Sequence, residues 1–190
     1  MEKDFTLLVL AFFCYSFVGW LWETLYCSLK ARHFVYRGFL LGPITPIYGF
    51  AIVGVLIFSQ PYQDKLWALF LLAFFLASVL EYVTSFLLEK LFHATLWDYK
   101  EIPLNINGRI ALPISVFWGA ACVFIVKVLN PHIISRIDLW YNEYGIFIAL
   151  VLLMLISFDL GFTLANVASL RRALQELSEA IEEKKAVLEK

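Results

Sequence analysis

Long uncharged runs alternate with short charged clusters along this chain of 190 residues. A membrane-crossing helix needs about 20 consecutive apolar residues. Phe5–Trp22 is one candidate, extendable through Glu23 to Leu29. Gly38–Ser59 holds 22 residues without a charge, and Leu66–Leu88 holds 23 broken only by Glu81. Ile110–Val126 is shorter, with Lys127 placed to snorkel to the interface. Gly145–Leu170 holds 26, broken only by Asp159. The pattern predicts an all-α polytopic membrane protein with about five spans, residues 1–170, followed by a helical tail, 171–190.

Composition agrees. Hydrophobic residues make up 62% of the chain and charged ones 16%, with a mean hydropathy of +0.78. Soluble domains are about 45–50% apolar and 25% charged, and a soluble fold of this size could not hide the excess. A soluble enzyme, a disordered chain and a disulfide scaffold are all excluded. A net charge of −1 argues against a nucleic-acid partner, which calls for a basic patch. Cys14, Cys27 and Cys122 lie in apolar stretches without paired spacing, and His33, His93 and His132 form no metal-binding pattern. No metal or other cofactor is expected, because phosphate-binding and dinucleotide motifs are absent too.

Lysine and arginine set the expected orientation. Eleven fall on the first, third and last connections, from Lys30 to Lys190, against four on the opposite side (Lys3, Lys65, Lys127, Arg136). The amino terminus is expected outside and the carboxyl terminus in the cytoplasm, in the bacterial cytoplasmic membrane. Met1-Glu2-Lys3-Asp4 lacks the positive start of a cleaved signal peptide, so the first span is expected to remain.

Two heptapeptides share the pattern P-I-[TS]-x-[IF]-[YW]-G: Pro43 to Gly49 and Pro113 to Gly119. Arg37 and Arg109 lie shortly before the two copies. The similarity suggests an internal repeat, residues 5–60 and 66–129, of two helical hairpins related by an axis along the membrane normal. The fifth span, 145–170, is then an addition. Gly42, Pro43, Pro46 and Pro113 are candidate helix-break positions, because proline removes a backbone donor and frees a carbonyl one turn back. A packing kink and a broken helix lining a site both fit, the kink slightly better.

An ionised carboxylate at mid-membrane costs about 2.5–3.5 kcal/mol on insertion scales. Glu23 and Glu81 lie seven and nine residues before Lys30 and Lys90, roughly 10–14 Å deep at 1.5 Å per residue. Asp159, Arg37 and Arg109 fall at the same end. Ser16, Trp20, Glu23 and Cys27 share a helical face, as do Glu81, Ser85 and Glu89 beside Ser78. Glu–Arg pairs that only lock helices together and a pocket that binds something both remain open. The connection from Glu89 to Arg109 carries Trp97, Asp98, Tyr99, Asn105, Asn107 and Gly108. It reads as a loop folded back under the helices, or as an interfacial aromatic anchor. Asp98 is expected to cap a helix or pair with Arg109.

In the tail, Val167, Leu170, Leu174, Leu177, Ile181 and Leu188 recur at three- and four-residue spacing, as in a short heptad pattern. A homodimer through this helix is expected over a helix lying on the bilayer, because Glu176, Glu179, Glu182 and Glu183 disfavour an anionic surface.

Several segments together resemble a bacterial family of ABC-transporter type IV membrane proteins, named as permeases. They are Tyr15-Ser16-Phe17-Val18-Gly19-Trp20 with Glu23, Arg37-Gly38-Phe39-Leu40-Leu41-Gly42-Pro43 with Pro46-Ile47-Tyr48-Gly49, and Leu80-Glu81-Tyr82-Val83-Thr84-Ser85 with Glu89. Trp97-Asp98-Tyr99, Asn105 and Gly108-Arg109 complete the set. The resemblance implies a small multi-span membrane protein and a separate ATPase subunit, and it carries no catalytic residues. Three functions compete: a permease-like or transporter-associated subunit, a membrane-embedded enzyme acting on lipid or lipid-linked substrates, and a non-catalytic scaffold or regulator in contact with membrane lipids. The first is favoured. Its expected substrate or ion pathway is Glu23, Arg37, Glu81, Ser85, Glu89, Trp97, Asp98, Asn105 and Arg109, with no catalytic group.

Overall fold

The computed structural model describes the backbone of residues 2–62 and 64–188. It also describes their side chains, except at 2–4, 140, 171, 175, 176, 179, 180 and 182–188. The tail glutamates 176, 179, 182 and 183 and the side chain of Leu188 therefore lie outside the described residues.

The first helix, α1, spans Glu2–Ala31, about 45 Å at 1.5 Å per residue. It ends at Arg32, whose φ of 58° is left-handed. The chain then runs without regular structure to Thr45, and α2 occupies only Pro46–Phe58. This corrects the expected span from Gly38. Pro46 sits in the first helical turn, where its missing N–H has no partner to lose and its fixed φ suits the helix. The residue before a proline is pushed out of the helical region, and Thr45 is extended at φ −122°, ψ 94°. The proline-bearing stretch therefore precedes a helix start and is not a kink within a helix. The freed backbone finds partners inside the protein, as it must at membrane depth. Thr45 donates its N–H to the Ser16 carbonyl at 3.0 Å, and Ile44 to that of Gly42 at 2.7 Å.

A short 3-10 turn at Gln60–Tyr62 leads to α3, Leu66–Phe92. His93 closes it in a left-handed conformation, its N–H returning to the Glu89 carbonyl while Ala94 reaches that of Leu88. The following loop folds back under the helices and ends in a small antiparallel hairpin, β1 (Asn105–Ile106) and β2 (Ile110–Ala111). Its tip needs positive φ at both Asn107 and Gly108, which Asn-Gly supplies at least cost. Helix α4, Leu112–Phe124, has Pro113 in its first turn. Pro113 therefore starts a helix and does not break one.

A wide π turn at Ile125–Leu129 joins α4 to α5, Asn130–Leu188. Pro131 offers no N–H to the preceding turn, a common setting for such a shift in the ladder. The expected span Gly145–Leu170 lies within the apolar stretch Tyr141–Leu174, while the helix itself begins earlier, at Asn130, because the charges at Arg136, Asp138 and Glu143 interrupt hydropathy without interrupting helix. The element is not straight. Ile137 and Ala149 belong to one buried cluster with Leu10, although twelve residues of straight helix would separate them by about 18 Å. The chain bends back between them.

Hairpin α1–α2 packs beside hairpin α3–α4, α2 touches α3, and α5 lies along α1. The main core joins Ala11 and Tyr15 of α1, Ile52 and Val55 of α2, Leu69 and Ala73 of α3, and Cys122 and Val126. Close approach depends on Gly49, where a Cβ would lie 2.3 Å from the Ser16 hydroxyl and 2.7 Å from the Phe12 carbonyl oxygen. Small residues let helix backbones meet this way in bilayers. Four helical stretches are long and apolar enough to cross a membrane: Phe5–Ala31, Leu66–Phe92, Leu112–Leu139 and Tyr141–Leu174. Helix α2 is a shorter apolar one. Outward side chains such as Phe75, Leu150 and Phe158 are apolar and exposed. This is the surface of an all-α polytopic membrane protein, whose lipid-facing side needs no polar cover.

Candidate functional site

The polar groups of the helices gather at the end where the 32–45 and 93–111 connections lie. They form an inner cluster, an outer basin and a latch on α5.

The inner cluster contains Glu23 of α1 and Glu81 of α3. Glu23 accepts a hydrogen bond from the Tyr48 phenol at 2.6 Å and faces the Arg37 guanidinium at 3.7 Å. Arg37 also donates to the Leu96 carbonyl at 3.1 Å, tying the two connections together. Glu81 is 8% exposed. Its Oε1 accepts from the Tyr99 phenol at 3.3 Å. Oε2 is buried without a partner. The Tyr48 and Trp118 rings meet edge to face at 5.2 Å, so the two glutamates share an aromatic surround. Burial, together with the adjacent Glu81 and Glu23 carboxylates, pushes the Tyr99 phenol above its usual range and keeps it a donor.

The outer basin has a volume of about 590 Å³. Ser85 and Glu89 line it from α3, Thr95, Trp97, Asp98 and Lys100 from the loop, and Asn105, Asn107, Gly108 and Arg109 from the hairpin. Arg109 pairs with Glu89 and lies 5.5 Å from the ring centres of Tyr82 and Phe86. Trp97 donates its indole N–H to the Arg109 carbonyl at 2.9 Å. Asn105 is spent on structure, bonding Lys100, Ile102 and Gly108 backbone groups. The Lys100 N–H at 2.9 Å and its ammonium at 3.4 Å hold the Asp98 carboxyl below its usual range.

The latch is Asp159. Its two carboxylate oxygens accept the N–H groups of Leu41 at 2.9 Å and Gly42 at 2.7 Å, and Thr163 adds a bond at 3.1 Å. The Tyr36 phenol reaches the same stretch from the other side, with the Leu41 and Gly42 carbonyl oxygens each 2.6 Å away. Helix α5 thereby holds the irregular segment that carries Gly42 and Pro43.

All nine expected pathway residues lie at this end, but in two groups. Glu23, Arg37 and Glu81 belong to the inner cluster. Ser85, Glu89, Trp97, Asp98, Asn105 and Arg109 line the basin. One expected pairing is corrected, and Glu81 meets a phenol in place of an arginine. Asp98 pairs with Lys100, its neighbour two residues on, and not with Arg109. Glu81 has no arginine, because Arg109 is drawn to Glu89 one turn beyond Ser85. Sequence reasoning met Tyr48, Tyr99 and Trp118 only within motifs and gave none of them a place in the pathway. One signal for two of them was available: Tyr48 and Trp118 hold the same position in the paired heptapeptides.

Apolar helices with polar side chains collected at one end define a polytopic helical membrane protein. The chain belongs to the family described as Putative ABC-transporter type IV, whose model matches residues 10–164. That stretch contains every group of the cluster, basin and latch, and it stops short of the tail. No curated protein and no solved structure matches the chain.

Proposed function

We propose that the protein is a permease-like or transporter-associated membrane subunit whose loop-end cluster and basin receive a polar cargo. The observation that carries this reading is Glu81, a carboxylate more than nine-tenths buried with one oxygen unpartnered. Helix packing alone gains little from such a group, since burying a carboxyl with one oxygen unpaired costs free energy in either protonation state. Intramembrane acids typically mark substrate or ion pathways.

In this reading the loop end faces the cytoplasm of a bacterial cell and a separate ATPase subunit engages there, as the family name suggests. The two hairpins are repeats. Tyr48 and Trp118, at the same position of the two heptapeptides, meet ring to ring between the hairpins, which supports that duplication. Residues 1–170 form the membrane domain and the tail is an appendage. Leu170, Leu174, Leu177 and Ile181 form an exposed stripe on α5, which favours a second role as a dimer contact.

Flux measurements test the reading. Cells with the parent chain, with Glu81→Gln or with no chain are compared for uptake and retention of labelled polar solutes. A solute whose flux requires the chain and fails with Glu81→Gln supports it. Identical fluxes in all three strains contradict it.

A further inference from the structure

We infer that the inner cluster is a binding site for a primary ammonium group, with Glu81 as its counter-ion. The inference rests on the polar-cargo reading and names the cargo's charged end.

The cluster, basin and latch hold five acids, and four have partners; Glu101 of the same loop is exposed to solvent. Glu23 faces Arg37, Glu89 pairs with Arg109, Asp98 with Lys100, and Asp159 takes two backbone N–H groups. Of these five, Glu81 alone lacks a cation or backbone donor, and its Oε2 is buried and accepts nothing. An orphan acceptor calls for a donor, and an uncompensated carboxylate calls for a positive one. An ammonium is both.

The surroundings favour the same class. Tyr99, Tyr48 and Trp118 offer aromatic rings around the carboxylates, and ring faces attract cations most strongly where water is excluded. A phosphate or carboxylate end would meet Glu81 and Glu23 with no free arginine.

A route to the group is built in. Ser85 lines the basin one turn from Glu81 on the same face of α3, about 6 Å along the axis. Tyr99 stands between the basin-lining residues Asp98 and Lys100 and rests its phenol on Glu81. Tyr99 is therefore the partition between basin and carboxylate, and its displacement admits the ammonium. The basin's own charges cancel in two ion pairs, so a neutral polar remainder of the cargo can stay there.

The test uses the full chain in phosphatidylcholine nanodiscs, with ethanolamine as probe and inorganic phosphate and glucose as comparisons. Ethanolamine is expected to bind saturably, at least about tenfold more weakly to Glu81→Gln, because a charge-assisted bond is lost. If Glu81→Gln does not fold, Glu81→Asp substitutes, with weaker binding expected. A second arm adds phosphatidylethanolamine to the disc. If the lipid headgroup is the natural source, it will compete with free ethanolamine in a Glu81-dependent way, and without competition the source is a free amine. Equal binding by parent and Glu81→Gln overturns the inference, as does no ammonium binding in either arm. If phosphate or glucose fills the basin while ethanolamine does not bind, the ammonium assignment fails and the polar-cargo reading stands. If none of the three probes binds and fluxes are also unchanged, both fail.

Discussion

A few contacts at single residues decide how closely the helices meet and how their charges are held. Gly49→Ala would put a methyl 2.7 Å from the backbone oxygen of Phe12, which no rotamer change relieves. Overpacking of this kind costs about 1–3 kcal/mol, so the melting temperature of the purified protein should fall. An unchanged melt would contradict the tight α1–α2 contact. Arg37→Ala should also lower stability, since it strips Glu23 of its cation, and adding Glu23→Gln should recover much of the loss. Failure of that rescue would mean Arg37 acts mainly through Leu96. Arg109→Ala should cost less, because its partner Glu89 has a side chain 57% exposed and keeps its hydration. At this scale the sequence was legible for which residues are costly in a bilayer, and Glu23, Glu81 and Asp159 all came to the loop end. Their partners were not legible. Helical spacing places Glu81, Ser85 and Glu89 on one face, but only the loop's path decides which acid Arg109 reaches and which is left with Tyr99.

At the scale of elements, the informative feature is the stretch from Gly38 to Thr45. Hydropathy reads it as span, because Phe39, Leu40, Leu41 and Ile44 are apolar. Hydropathy cannot register that Pro46 fixes a helix start and that backbone groups upstream must bond elsewhere. Asp159 is the answer to that need, supplied from α5. Asp159→Ala leaves the N–H groups of Leu41 and Gly42 without acceptors, so the segment should loosen. With a cysteine at Leu40, which is 4% exposed, thiol labelling should be slow in the parent and markedly faster with Asp159→Ala. Equal rates would show that Tyr36 and the Thr45–Ser16 bond hold the segment unaided. The loop from His93 to Arg109 was readable as folded back from its aromatic and amide residues. The hairpin inside it was carried by Asn107-Gly108.

For the whole molecule, the spacing of uncharged runs gave the helical membrane class and the approximate span count. It put the last span, 145–170, inside the apolar stretch Tyr141–Leu174 but missed the helix ahead of it, because the charges there interrupt hydropathy but not hydrogen bonding. Orientation depends on the lysine and arginine bias. Cysteines at Asp64 and Asn142 should be labelled from outside intact cells, and cysteines at His93 and Ser178 should not. Labelling at 178 from outside would reverse the orientation. The account stands above all on Glu81 being kept for a ligand and not for the fold. Its most direct test is the melting temperature of Glu81→Gln beside the parent, in the same detergent and without added solute. Replacing this buried, partly unpaired acid while keeping shape and the Tyr99 bond should leave the melt unchanged or raise it. A fall of about 4 °C or more, corresponding to roughly 1 kcal/mol or more for a chain of this length, would make the carboxylate a structural element and contradict the account.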